Sequence, residues 1–212
     1  MNVSQPIGRK RRLVRSGLKW GFYFFLVLGL IAAGYAGYVV AEAESYQAIE
    51  LRKFTVRAPQ VEPHLPTIGE VIGEIEIPRL GIQAIIAQGD TDQVLRHAVG
   101  HIPETTWAGE FGNVGLAGHR DRLFRRLRVV QPGDIVILKT PRDVFRYQVE
   151  TTSVVPPTDT AVLRSSNRRE LTLITCFPFD YVGSARNRFV VRARELTWDD
   201  ERNTAVLKPA AH

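Results

Sequence analysis

The chain has 212 residues, 28 basic and 22 acidic side chains, a formal net charge of +6 and one cysteine. That length allows one domain plus appendages, and a single cysteine excludes an intrachain disulfide and any multi-cysteine metal site. Six of the basic residues (Arg9, Lys10, Arg11, Arg12, Arg15 and Lys19) lie in residues 1–41, which hold no acidic residue, so the other 22 balance all 22 acidic ones. The surplus belongs to an N-terminal arm and not to a phosphate-binding groove, and no nucleic-acid partner is expected.

Residues 1–19 read as a basic, disordered cytoplasmic arm. Trp20–Ala41 is uncharged and rich in Phe, Leu, Val, Ile, Ala and Gly, and its length suits a transmembrane helix of roughly 20 residues. A cleaved signal peptide is the alternative, since Ala41-Glu42-Ala43 resembles a small-residue cleavage site. The run exceeds the usual signal core of about 7–15 residues, which favours a retained anchor. Basic residues on the N-terminal side put the arm inside and the rest of the chain outside the cell. Membrane lipid is therefore an expected partner.

Residues 42–70 read as a stalk. Glu42–Phe54 can continue as a helix, Pro59, Pro63 and Pro66 oppose regular structure, and His64 is an exposed linker residue. The folded domain starts near Gly69 and occupies residues 71–195. Ile72–Ile77 and Ile82–Ala87 are strand-like. Asp90 or Thr91 caps a short helix through Ala98, and a loop over residues 99–112 follows. Asn113–Ala117 is a further strand, ending at Gly118-His119-Arg120-Asp121, and Leu123, Phe124 and Leu127 seat a helical turn. Asp134–Thr140 and Val144–Val155 are strands, and Pro156–Arg169 is a long connection. Short strands divided by Gly/Pro turns predict a mainly β fold, a closed or nearly closed β-barrel of about eight strands with short helices, preceded by the anchor. Residues 196–212 form a polar tail that frays, with Trp198 the one candidate in it for packing back on the domain.

Glu170–Glu195 carries the chemistry. Leu171, Leu173 and Thr175 alternate with Thr172, Ile174 and Cys176, and Arg188–Ala193 is a second such run after a loop with Pro178, Asp180 and Gly183. Pairing the two as an antiparallel hairpin sets Cys176 beside Arg188. A lone cysteine is more often a small buried residue than a nucleophile; a guanidinium beside it suggests a thiol with an oxyanion partner. Arg192 shares the face of Arg188, and strand parity does not separate them, but Arg188 is nearer the end of the cysteine strand. A thiol also needs a base or proton shuttle. His119 ends an apolar strand, His101 sits in a loop and His97 lies on the helix; His119 and His101 remain candidates on position alone.

Here the chain resembles the sortases, cysteine transpeptidases of bacterial surfaces. Thr172-Leu173-Ile174-Thr175-Cys176 matches their T-L-x-T-C signature. Leu116-Ala117-Gly118-His119-Arg120-Asp121 matches the segment bearing their catalytic histidine, and Arg188-Phe189-Val190-Val191 the strand that opens with their catalytic arginine. The likeness runs from about Gly73 to Arg194, includes the G-H-x-P-x-T segment at His101, and is greatest to class D. Class D members commonly carry Ala-Pro-x-Arg where this chain has Ala185-Arg186-Asn187-Arg188, which makes Arg186 a rival to Arg188.

The resemblance implies a nucleophile Cys176, a general acid/base His119 and an oxyanion or substrate stabiliser Arg188. It further implies protein substrates with a Leu-Pro-x-Thr-type sorting signal, cleaved after Thr through a thioester. The acceptor is an amine, from a peptidoglycan precursor or a protein lysine. No cofactor or metal is expected; class A sortases can bind calcium, but no acidic cluster here predicts a site. The rival readings are an anchored cysteine peptidase with water as acceptor and a non-catalytic anchored binding module.

Overall fold

The computed structural model describes residues 23–38, 41–42, 47, 49, 51, 65–181 and 183–197. The basic arm, His64 and Trp198 lie outside them, as do Trp20–Phe22, Val39 and Val40 of the expected span. The chain divides into two compact units, Met1–Ser45 and Tyr46–His212. In the first, residues 23–38 are helical and the large apolar side chains from Tyr23 to Tyr38 are exposed. No helix among the described residues is long and apolar enough to cross a membrane.

The second unit holds a closed barrel. Its strands are β1 (Val71–Ile77), β2 (Ile82–Gln88), β3 (Val99–His101), β4 (Gly112–Gly118), β5 (Ile135–Lys139), β6 (Val144–Val155), β7 (Arg169–Phe177) and β8 (Asn187–Glu195). They close in the order β1-β2-β3-β4-β7-β8-β6-β5. The pairs β2–β3 and β4–β7 are parallel and the rest antiparallel. The strands alternate between barrel and outer face, except where bulges shift the register of β1 between Val71 and Gly73 and of β6 between Val149 and Thr151. Ile75, Ile77, Val114, Leu116, Leu171, Leu173 and Val191 point into one buried core, which Phe124, Leu127 and Tyr147 complete.

The structure corrects the loop expected after the short helix. The helix is only Asp92–Leu95, capped by Thr91, whose side chain accepts from the Val94 amide. Val99–His101 then becomes a strand, parallel to β2 and antiparallel to β4. Three residues are too few to show a period, and Gly100 hides the β signal. That glycine is needed for close packing: a Cβ there would lie 2.3 Å from the Gly89 carbonyl oxygen.

The outer face of β2 is also covered. Ile85, Ala87, Val94 and Ala98 form a small second core, against which Leu51 and Val71 pack. The Gln47 side chain accepts from the Ile85 amide at 3.0 Å and donates to the His97 carbonyl. These residues of the expected stalk therefore contact the barrel wall.

Gly118 ends β4 beneath the buried Phe124 ring, where an added Cβ would stand 2.6 Å from a ring carbon. Phe124 is fully buried and has no route to solvent. Gly118→Ala is expected to cost about 1–3 kcal/mol by overpacking, read as a lower midpoint in urea unfolding.

Candidate active site

Two neighbours of β7 position the candidate residues. Parallel pairing with β4 sets Gly118 opposite Thr175, and antiparallel pairing with β8 sets Cys176 opposite Arg188. Leu171, Leu173 and Thr175 face inward, so Cys176 faces outward with Thr172 and Ile174. The same alternation on β4 turns Asn113, Gly115 and Ala117 outward and carries His119 to that side. The Thr175 hydroxyl donates to the Gly118 carbonyl at 2.7 Å in a buried bond, tying the residue before Cys176 to the residue before His119.

His119, Cys176 and Arg188 line one cleft of about 380 Å³ on the outer wall. Ala117 and Ile174 form its floor, and Ile102, Val162 and Leu163 contribute apolar walls. Asp90, Asp92 and Asp159 stand at its rim. Gly115 lets the walls close over the strands: a Cβ there would fall 2.8–3.2 Å from side-chain atoms of Thr105, Leu163 and Ile102.

A polar network that the sequence did not reveal holds the wall formed by the β6–β7 connection. Asn113 is 1% exposed. Its amide donates to the Val162 carbonyl at 3.1 Å, and its oxygen accepts from the Thr172 hydroxyl at 2.8 Å. Arg192 donates to the same Val162 carbonyl at 3.0 Å. Arg192 thus anchors the connection and does not line the cleft, which separates it from Arg188 where strand parity did not. The signal available in the sequence was a polar Asn on a strand dominated by Gly, Ala and aliphatic residues.

Arg186 is exposed and outside the cleft, whereas Arg188 is half-buried within it. The histidines also separate. His97 lies outside the cleft, and its backbone carbonyl accepts from Gln47. His101 is 2% exposed and its ring stacks on Trp107 at 4.4 Å. Its Nδ1 lies 2.8 Å from the Gln88 side-chain oxygen and its Nε2 3.0 Å from the Thr106 carbonyl. Burial pushes its pKa down, against the opposing pull of the Thr106 carbonyl and the Glu104 charge. His101 pins β2, β3 and the following turn together, with both ring nitrogens engaged.

A second cleft, of about 350 Å³, lies at the opposite end of β7. Its arginines meet carboxylates, Arg169 with Glu195 at 3.6 Å and Arg194 with Glu150 at 3.2 Å, and no thiol or imidazole lines it.

A closed barrel with a thiol, an imidazole and a guanidinium on one outer cleft has the groups of a cysteine acyltransferase. The sortase domain model matches residues 75–196, and the chain belongs to the sortase family, whose members are cysteine transpeptidases. It is 29% identical to sortase D of Bacillus subtilis (strain 168) over 191 residues, covering 82% of this chain and 96% of that one. The solved Clostridium perfringens sortase D5 transpeptidase superposes with a TM-score of 0.61 at 27% identity, over 73% of this chain and 98% of that chain. Sortase E1 of Streptomyces coelicolor, solved with a tripeptide in its active site, gives 0.55 at 26% identity, over 61% of this chain and 90% of that one. Class D members thus stand among its relatives in both sequence and structure.

The buried His101 gives a pH prediction. Its folded pKa lies below the unfolded value of about 6.5, so the unfolded chain binds the extra proton first. Its contribution to stability is intact above that value and is lost as pH falls below it, until the folded pKa is reached. Urea unfolding between pH 7.5 and 5 should show this decline, and His101→Gln should flatten it while lowering stability at pH 7.5.

Proposed function

We propose that the chain is a membrane-anchored sortase that cleaves a Leu-Pro-x-Thr-type sorting signal after the threonine and transfers the acyl group to an amine. The observation that carries this reading is the cross-strand pair Cys176–Arg188 in a cleft that His119 also lines. The thiolate of Cys176 attacks the threonine carbonyl carbon, and the electron pair moves onto its oxygen. Arg188 meets that oxyanion with a planar pair of N–H donors. As the tetrahedral adduct collapses, the C–N bond breaks, and the leaving amine takes a proton from the His119 imidazolium. A thioester on Cys176 remains.

An incoming amine, from a peptidoglycan precursor or a protein lysine, then attacks the thioester. His119 accepts its proton, and the Cys176 thiolate departs. Water in the same place gives hydrolysis. The long connection between β6 and β7 forms a wall of the cleft, and we assign it to reading the signal.

The full chain in detergent micelles, given a Leu-Pro-x-Thr-Gly peptide library with and without an amine, tests the reaction. The amine should divert product from free acid to amide. Cys176→Ala and His119→Ala should abolish transfer. Arg188→Ala should lose about 10²–10³ in turnover, and Arg188→Lys should recover little, because one ammonium cannot reproduce the fork. Arg186→Ala should stay within about tenfold of the parent. An active Arg188→Ala beside a crippled Arg186→Ala would reverse the arginine assignment, and an active Cys176→Ala would sink the mechanism.

We extend the proposal to location. The exposed apolar side chains of residues 23–38 and the basic arm before them support a single membrane pass, with the N-terminus inside and the barrel outside. Protease added to intact cells should digest the barrel and spare the arm. A protected barrel would reverse the topology, and a mature N-terminus near Glu44 would show cleavage.

A further inference from the structure

Arg120 follows His119, and its side chain reaches the loop between β7 and β8. Its Nη1 donates to the Pro178 carbonyl at 2.9 Å, and its Nη2 donates to the carbonyls of Tyr181 and Gly183, at 2.8 Å each. These three acceptors lie on the chain that leaves Cys176 and returns at Arg188. A guanidinium suits the task, because its donors are fixed in one plane and can meet several carbonyls at once. Bonds from a charged donor are also the stronger kind.

The position of this clasp matters. The hydrogen-bonded register between β4 and β7 runs from Gly112↔Arg169 to Gly118↔Thr175 and stops there. Cys176 and His119 lie one residue beyond that end. Past it, the β7–β8 loop is also attached through Phe179 and Asp180. Phe179 packs on the Phe177 and Phe189 rings, with centroids 6.0 and 5.2 Å away. Arg128 approaches Asp180 at 3.4 Å, as a pair exposed on both sides, which is worth little. Arg120 is the attachment that comes from the residue next to His119.

We propose that Arg120 is a positioning residue for the transfer reaction. By fixing the β7–β8 loop to the end of β4, it continues the strand register past its last bond and holds the His119 imidazole at a set spacing from Cys176 and Arg188. A displacement of about 1 Å between reacting groups can cost on the order of a hundredfold in rate, so a clasp of this kind acts on turnover more than on binding. The inference rests on the transpeptidase reading above.

The test uses the full chain in detergent micelles as parent, Arg120→Ala, Arg120→Lys and Arg128→Ala. Backbone 15N order parameters are measured at the amides of Phe179, Tyr181, Gly183 and Ser184 without substrate, and kcat and KM are measured with the preferred peptide and an amine. In Arg120→Ala the loop order parameters should fall from about 0.85 to below about 0.6, with the barrel strands unchanged. Its kcat should fall about 10–100-fold, with KM within about threefold of the parent. Arg120→Lys should be intermediate in both readouts, and Arg128→Ala should keep the order parameters of the parent and a kcat within about twofold.

Loop order parameters in Arg120→Ala equal to those of the parent overturn the proposal, because turnover lost without loosening would mean a direct contact with substrate. An equal fall of order parameters across the barrel strands also overturns it, as a fold-wide role. The order parameters need no substrate, so an inactive parent would count against the transpeptidase reading itself and would be told apart from a failed clasp.

Discussion

The cleft depends on one constraint, the register of β7 between β4 and β8. Side chains on a strand alternate faces, so a slip of one residue exchanges every inward group for an outward one. Such a slip would turn Cys176 into the core and push Thr175 and the leucines outward. Several independent features resist it. Leu171 and Leu173 are fully buried. The Thr175 hydroxyl is bonded to the Gly118 carbonyl, and on the outer face Thr172 is bonded to Asn113. Apolar burial sets the parity, and the buried hydrogen bonds fix the position along the strand. A buried carbonyl left without its donor costs about 1–3 kcal/mol, enough to disfavour the neighbouring registers.

Much of the hairpin was legible in the sequence because its information is local. Alternation over residues 171–176 and 188–193, with a turn-rich loop between, is enough to bring Cys176 and Arg188 face to face. The parallel approach of β4 to β7 is a different matter. Its partners are over fifty residues apart, and nothing in the period of either strand names the other. His119 could therefore be chosen over His101 only by its place at a strand end and by family likeness. The structure supplies the physical distinction, since His101 is stacked on Trp107 and bonded at both nitrogens. Strand β3 escaped notice because three residues, one of them glycine, carry too little pattern. Arg192 could not be told from Arg188 because its distinguishing partner, the Val162 carbonyl, belongs to a connection without a period of its own.

The arginines after His119 have a common pattern. The stretch from His119 to Val129 is rich in basic residues, which on sequence alone reads as a solvated surface. Instead Arg120 bonds carbonyls of the β7–β8 loop, Arg122 bonds the Arg96 carbonyl, and Arg126 bonds those of Leu80 and Gly81. Irregular segments leave carbonyls without ladder partners, and a long flexible side chain with several donors can satisfy them from a distance. In this segment the positive charge serves chain architecture as well as solubility.

The parallel pairing of β4 with β7 has a consequence for the order of events in folding. The Thr175–Gly118 bond joins residues 57 apart, so its formation requires closure of a long loop, a contact of the kind that slows folding. The β7–β8 hairpin spans little chain and can form early. A nascent or partly refolded molecule can thus carry Cys176 beside Arg188 while His119 is still remote. The thiol and the imidazole come to one cleft only when the barrel closes, so the proposed chemistry would begin only with completion of the fold.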